Sequence, residues 1–265
     1  MNAYEYENVS EMYRDIVRLL CEQKSDHSTK ELTNVMLKVN DVRDALITER
    51  KISLPYLCGE LLWYMMESNQ VDFISKFAKK WSEISDDGET SNSAYGYILG
   101  QKHGFNQVEK IIELLKQDPY SRRAVMNLNV PNEKVIETKD EICTIALQFL
   151  VRDGKLHCLT MMRSNDVYRG MPYDIAFFTS LQKMIAYRLR ILSGTYTHVV
   201  GSLHLYDSDE EKLLSAMSEP QQDYKLKSLC LLDLKQEDYD KINNSTSPKE
   251  DVVKLFVEKN IIEMR

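Results

Sequence analysis

Most of the reactive chemistry in this chain lies in one cysteine, two arginine sites, one misplaced acid and one charged run. The run is Arg163-Ser164-Asn165-Asp166-Val167-Tyr168-Arg169-Gly170-Met171-Pro172-Tyr173-Asp174-Ile175-Ala176. It follows a strand-like segment and leads into an apolar helix pattern. A strand-to-helix junction does not need that density of charge, whereas a ligand site often does. Cys143 is a nucleophile only if cations lower its pKa, and Arg122-Arg123 and Arg163 are the candidates to do so. A lone cysteine in an apolar strand is otherwise a small hydrophobe. Paired arginines suit bidentate capture of phosphate, and they equally suit a solvated edge. Glu60 stands inside Leu57-Cys58-Gly59-Glu60-Leu61-Leu62-Trp63. A carboxylate there is costly unless paired or functional, or else it turns to solvent. His204, between Leu203 and Leu205, is either a ligand-binding or a core histidine.

The elements that must position these groups follow from periodicity. Residues 8–22 have helical spacing, with Met12, Ile16, Leu19 and Leu20 on one face and Ser10 as N-cap. Residues 23–30 form a polar loop and Leu32–Val39 a strand. Tyr56–Met66 is a buried helix carrying Glu60, and Val71–Trp81 is an amphipathic helix. Residues 86–93 form a surface loop, and Gln107–Gln117 is an amphipathic helix stopped by Asp118-Pro119. Ala124–Val130 is a strand. Glu141–Val151 and Lys155–Met162 form a hairpin around Asp153-Gly154. Strict alternation puts Ile142, Thr144, Ala146, Gln148 and Leu150 on one face and Cys143 mid-strand on the other. Both faces are largely apolar, which places the strand centrally. A helix from Ile175 to Leu192 ends at Gly194 as C-cap. Tyr196–Tyr206 is a strand, Asp207–Met217 a helix, and Asp251–Ile262 a last periodic segment. Without repeats or a linker, residues 1–265 read as one mixed α/β (α+β) domain.

The totals agree with a globular enzyme. The chain has 265 residues, 43% hydrophobic and 28% charged, enough for a sizeable core. No apolar run is long enough to span a membrane, and the acidic start Met1-Asn2-Ala3-Tyr4-Glu5 is no signal peptide. Five scattered cysteines without a CxxC pair imply reduced thiols in a cytoplasmic protein, with no metal site and no disulfide framework. A net charge of −7 argues against a nucleic-acid partner.

Seven pieces occur in an order and spacing that resemble the thymidylate synthase superfamily over roughly residues 55–206. They are Glu60-Leu61-Leu62-Trp63, Ala94-Tyr95-Gly96, Asp118-Pro119-Tyr120-Ser121-Arg122-Arg123, Cys143 with Gln148, Arg163-Ser164-Asn165-Asp166, Gly170-Met171-Pro172-Tyr173-Asp174-Ile175-Ala176, and His204-Leu205-Tyr206. The resemblance implies a twisted mixed sheet covered by helices, with sheets packed back to back in a homodimer. It also implies roles. Cys143 would add to C6 of a pyrimidine nucleotide, and Arg163 would lower its pKa and touch phosphate with Ser164. Arg122 and Arg123 would reach the phosphate of the neighbouring subunit's nucleotide. Glu60 would organise water and proton transfer, and Tyr95 would assist proton removal from C5. Gln148 and Asp174 would face the base, and His204 and Tyr206 would bind the sugar hydroxyl. Asp166, Trp81 and Gly170 would hold 5,10-methylenetetrahydrofolate, the one-carbon donor.

The chain departs from the synthases in four places. Where they carry asparagine in the Gly-x-Pro-Phe-Asn-Ile-Ala segment, it has Asp174. An amide complements uracil, with its N3–H donor and O4 acceptor. A carboxyl group complements cytosine, accepting from the 4-amino group and sharing a proton with N3. Thr144 follows the nucleophile in place of histidine. The Arg-Thr-Gly phosphate loop is not recognisable, residues 23–30 offering only Lys24 and Lys30. The hydrophobic C-terminal tail that closes over folate is replaced by Asn260-Ile261-Ile262-Glu263-Met264-Arg265. These features resemble the cytidylate hydroxymethylase branch, in which water rather than hydride captures the exocyclic methylene. That reading predicts a dCMP or CMP 5-hydroxymethyltransferase. The alternatives are a divergent thymidylate synthase acting on dUMP and a non-catalytic nucleotide- or RNA-binding homologue.

Overall fold

The computed structural model describes residues 2–44, 46–130, 133–219 and 224–264. Met1 and Arg265, at the ends of the two terminal segments read above, lie outside them. In chain order the elements are β1 (Asn2–Asn8), α1 (Val9–Cys21), β2 (Thr29–Asp41), α2 (Leu54–Met65), α3 (Val71–Ile74), α4 (Lys80–Ile84), α5 (Tyr95–Gly100), α6 (Gln107–Gln117), β3 (Val125–Asn127), β4 (Thr144–Arg152), β5 (Lys155–Asp166), α7 (Met171–Leu189), β6 (Leu192–Tyr206) and α8 (Asp207–Ser218). β7 (Tyr224–Leu226), a 3-10 turn (Ser228–Asp233), α9 (Gln236–Asn243), α10 (Pro248–Glu258) and β8 (Ile262–Met264) complete it.

The main sheet runs β1-β2-β6-β5-β4-β3. β1 pairs parallel to β2 across α1, and β5 pairs parallel to β6 across α7. The remaining neighbours are antiparallel, which makes the sheet mixed. β7 and β8 form a separate two-stranded ribbon. One face of the sheet is core: Val35, Leu37, Leu147, Phe149, Leu156, Tyr196 and Val200 are buried there, under α1 and α7. α6 packs on α7, and α5 and α10 pack on α2. The opposite face carries Val125, Ile145 and Met161, each more than a third exposed.

Several boundaries differ from the sequence reading for identifiable reasons. α1 is capped by Asn8, whose side chain accepts from Glu11 N, and Ser10 lies inside the helix. The acidic start is a strand because it finds an edge to pair with in β2. α2 begins at Leu54 rather than Tyr56, with Pro55 in its first turn, since an N-terminal helix position does not need the missing N–H. The Val71–Trp81 helix is two short helices, α3 and α4. α7 starts at Met171 and ends on Arg190 in the left-handed region (φ 58°). Gly194 therefore lies in β6 and does not cap α7. The Asp153-Gly154 turn is as read, with both residues at positive φ (51° and 70°), as a tight hairpin turn demands.

Two differences matter for chemistry. β5 continues through Asp166, so Arg163 to Asp166 are strand residues held in register against Gly201–His204 of β6. A Cβ on Gly201 would stand 2.8 Å from Arg163 O, so β6 passes here only without a side chain. Cys143 is not mid-strand but immediately precedes β4, and a register shift separates Thr144 from Ala146. The bulge breaks the predicted alternation. Thr144 turns into the core on the same side as Leu147 and Phe149, while Ile145 is 39% exposed.

Candidate active site

A cleft of about 330 Å³ opens where the ends of α2 and α5, the Lys139–Cys143 approach to β4, the end of β5 and the start of α7 meet. Ten of the sequence-predicted residues line it: Glu60, Trp81, Tyr95, Cys143, Arg163, Ser164, Asp166, Gly170, Asp174 and His204. Tyr206 stands at its rim in the adjoining hollow, edge-on to His204 with ring centres 5.1 Å apart. Arg122, Arg123 and Gln148 do not line the cleft. Gln148 lies on the opposite sheet face, where its amide donates to Arg122 O (3.1 Å). Both arginines are exposed.

The inner end of the cleft is a cluster of acids and phenols. Glu60 is buried, at 6% exposure. Tyr56 and Tyr64, one helical turn to either side of it, donate to Glu60 Oε1 at 2.5 and 3.3 Å. Trp81 Nε1 donates to the Tyr56 hydroxyl (3.2 Å), so the indole braces Glu60 through the phenol. Burial pushes Glu60 up to about 8 despite these bonds. Tyr95 stacks on Tyr64, ring centres 5.3 Å apart. That placement needs Gly96, since a Cβ there would meet the Tyr64 backbone at 2.0 Å. The Tyr95 hydroxyl receives the Thr144 hydroxyl hydrogen (3.0 Å). Asp174 accepts from Asn165 Nδ2 at 2.8 Å. Burial pushes its carboxyl up to about 7, with bonds from Asn165 and Tyr95 pulling the other way.

Cys143 faces this cluster. Burial raises its thiol to about 11; Arg163 pulls it down, and Asp174, Asp140 and Asp166 push it up. The expected lowering by Arg163 is therefore present but outweighed. Arg163 instead braces the segment that carries Cys143. Its Nε donates to Ile142 O (3.0 Å), its Nη2 to Glu141 O (2.7 Å) and its backbone N–H to Cys143 O (2.8 Å). Asp140 holds the opposite wall by accepting from Ser91 Oγ and from the Asn92 and Ser93 amides.

The outer end is more open. Ser164 Oγ lies 3.4 Å from His204 Nδ1. Arg169 pairs with Asp209 (2.6 Å) and lies over the Tyr206 ring at 5.0 Å. Lys30, at the start of β2 rather than in a loop, is committed to Glu210 at 2.6 Å; Lys24 faces the hollow beside Ser164 and His204. Asp166 Oδ1 accepts from Tyr168 N and Arg169 N (2.8 and 2.9 Å), and its other oxygen is 3.7 Å from the Arg169 guanidinium. An anchored carboxylate, a partly buried indole and a glycine whose Cβ would crowd Asp174 at 3.2 Å suit the flat, N–H-rich pterin of a folate. Among the described residues no cluster of His, Cys, Asp and Glu is arranged to hold a metal ion, and no helix is long and apolar enough to cross a membrane.

The sequence reading missed Tyr56, Tyr64, Asn165, His198 and Arg169. The tyrosines were detectable, since they sit four residues before and after Glu60. Asn165 was quoted without a role. His198 showed only the alternation of a core strand.

Comparisons with known proteins fit this geometry. A family model described as thymidylate synthase matches residues 11–253. A thymidylate synthase of Francisella philomiragia subsp. philomiragia is 29% identical over 227 residues, covering 77% of this chain and 81% of the relative. One from Francisella tularensis subsp. holarctica is 28% identical with the same coverage. The solved structure of thermostable thymidylate synthase A from Bacillus subtilis superposes with a TM-score of 0.69 at 21% identity, over 97% of this chain and 94% of that one. At that identity the superposition speaks for the fold, and the family match speaks for descent: the chain belongs to the thymidylate synthase family.

Proposed function

We propose that this protein is a cytidylate 5-hydroxymethyltransferase. It would convert dCMP or CMP, 5,10-methylenetetrahydrofolate and water into the 5-hydroxymethyl nucleotide and tetrahydrofolate. The observation that carries the reading is Asp174, a half-buried residue at the inner end of the cleft whose carboxyl desolvation pushes up to about 7. The resemblance would put an asparagine there for uracil. A carboxyl group at that pKa exists in both forms at neutrality. The ionised form accepts from the cytosine 4-amino group, and the acid donates to N3.

The residues then divide the work. Cys143 forms the bond to C6, and as electron density moves into the ring Asp174 supplies a proton at N3. The proton that the thiol releases passes to the Asp174 carboxylate, so the carboxyl delivers one proton to N3 and regains one as the S–C6 bond forms and the C5–C6 double bond opens. Tyr95, bonded to both Thr144 and Asp174, serves proton removal from C5. Glu60, braced by two phenols, orients the water and accepts its proton. Asp166, Trp81 and Gly170 hold the folate, which when bound supplies a one-carbon unit at the methylene level. His204 and Tyr206 take the sugar, and Arg163 and Ser164 the phosphate. Arg122 and Arg123, exposed and outside the cleft, serve the neighbouring subunit's phosphate across a homodimer interface.

The test is turnover of dCMP, CMP and dUMP with methylenetetrahydrofolate, with product masses measured. Hydroxymethylated cytidylate is expected, and turnover of dUMP alone to dTMP sinks the reading. A second reading, a divergent thymidylate synthase, is favoured by the names of the relatives. It requires dihydrofolate to form and Asp174→Asn to improve the enzyme.

A further inference from the structure

Asp174 ends a buried chain of polar groups that none of the roles above uses. Its Oδ2 accepts from Asn165 Nδ2 at 2.8 Å. Asn165 Oδ1 lies 2.9 Å from His198 Nε2, and His198 Nδ1 lies 2.9 Å from the Tyr196 hydroxyl. Tyr196 is bonded in turn to Thr160. Asn165 is 3% exposed, and His198, Tyr196 and Thr160 are fully buried. The chain thus runs from the cleft, through the end of β5, into the middle of β6.

Donor and acceptor chemistry allows this chain one polarity. A carboxylate oxygen only accepts, so Asn165 presents its amide hydrogens to Asp174 and its carbonyl to His198. That carbonyl cannot donate, so His198 carries its hydrogen on Nε2. A neutral imidazole has a single N–H, so Nδ1 is bare and takes the Tyr196 hydroxyl hydrogen. Burial keeps the ring neutral by pushing His198 down to about 4. The imidazole therefore does not gain a second proton and reverse the chain near neutrality.

We propose that Asn165, His198 and Tyr196 are a positioning relay that reserves Asp174 Oδ2 from the buried side and presents the other oxygen to the base. The inference rests on the cytidylate reading of Asp174 and deepens it. One oxygen is fixed as an acceptor within the protein. The other is left to accept from the 4-amino group or to carry the proton for N3. An unanchored carboxyl could rotate and present either oxygen in either state, so it would select weakly between cytosine and uracil. The other ionisable groups facing Asp174 are Glu60 and Tyr64 from α2, Tyr95 from α5, Cys143 before β4 and Asp166 from β5. Of these, Tyr95 lines the cleft and, with Asn165, holds the Asp174 carboxyl's pKa down.

The experiment measures dissociation constants for dCMP and dUMP by calorimetry from pH 5.5 to 9 in the wild type, Asn165→Ala and His198→Gln, with circular dichroism to establish folding. Asn165→Ala should lose about tenfold in dCMP-over-dUMP preference. Its alkaline limb of dCMP binding should move to higher pH, because the Asn165 bond holds the Asp174 pKa down. His198→Gln keeps an N–H for Asn165 Oδ1 and should retain both properties. A folded Asn165→Ala with unchanged preference and unchanged limb overturns the relay. If the wild type itself prefers dUMP, the cytidylate reading fails. The relay is then judged on the pH midpoint of dUMP binding, which must move in Asn165→Ala for the relay to stand.

Discussion

The two ends of the cleft are built differently. At the inner end, which the proposed function gives to the base, Glu60 accepts from Tyr56 and Tyr64 and Asp174 accepts from Asn165. At the phosphate end, Arg163 is turned onto the carbonyls of Glu141 and Ile142. Lys30 is paired with Glu210, and Arg122 and Arg123 lie outside the cleft. The difference teaches that the inner end is built from fixed polar contacts, whereas the cations of the outer end are turned onto backbone and acidic partners or lie outside the cleft; under the proposed function, phosphate would then be gripped in part by the neighbouring subunit's arginines. Choosing a base depends on fixed, desolvated dipoles, whose value comes from being immobile. Holding a phosphate depends on charge, which a flexible guanidinium supplies from several directions.

The comparison can be broken at either end, and the largest effect belongs to the nucleophile between them. Cys143→Ser should lower turnover by about a thousandfold or more while leaving nucleotide binding within a few-fold. Equal loss of binding would mean that the thiol is structural. At the base end, Asp174→Asn should cost about a hundredfold in the dCMP-to-dUMP ratio of kcat/KM, read from competition between the two nucleotides. An unchanged ratio would leave the base unselected by this residue.

The same substitution should also show in stability. The folded Asp174 pKa is about 7 against an ordinary 3.8. The native state therefore holds a proton that the unfolded chain releases between those values. Stability is lost as pH rises through that window, and the loss is complete above about 7. Asp174→Asn should therefore be more stable than wild type at pH 8, by on the order of 2–4 kcal/mol, and nearly equal to it at pH 4. Denaturant unfolding at the two pH values measures this, and a difference independent of pH would contradict the burial argument.

At the phosphate end, Arg122→Ala and Arg163→Ala should each raise KM by about tenfold with less change in kcat. Mixing inactive Cys143→Ser with Arg122→Ala sharpens the point. If Arg122 serves the neighbouring site, randomly exchanged dimers should regain about a quarter of wild-type activity. No recovery would place Arg122 with its own chain.

The sequence made the base end legible because its groups lie in short ordered motifs. Glu60, Tyr95, Cys143 and the Arg163–Asp174 run come together in the cleft. It concealed the supports, because a partner such as His198 is linked to Asn165 across two strands and leaves no local pattern. The hairpin and α6 were readable from turn residues and from a clean 3.6-residue period. β1 was not, since its exposed, acidic residues are strand only by virtue of the β2 edge. The split of 71–84 into two short helices likewise follows from packing rather than from propensity.

The register shift after Thr144 has a consequence for how this chain tolerates change. In a two-residue repeat, one extra residue is a half-period offset. It lets Thr144 turn into the core directly after the cleft residue Cys143, while Gln148, four residues later, stays on the open sheet face. Deleting one residue between Thr144 and Ala146 would cancel that offset and exchange the two faces for everything upstream, Cys143 included. Many substitutions there would merely weaken the enzyme. A length change of one would turn the nucleophile's surroundings inside out, so this short interval should accept altered spelling far more readily than altered length.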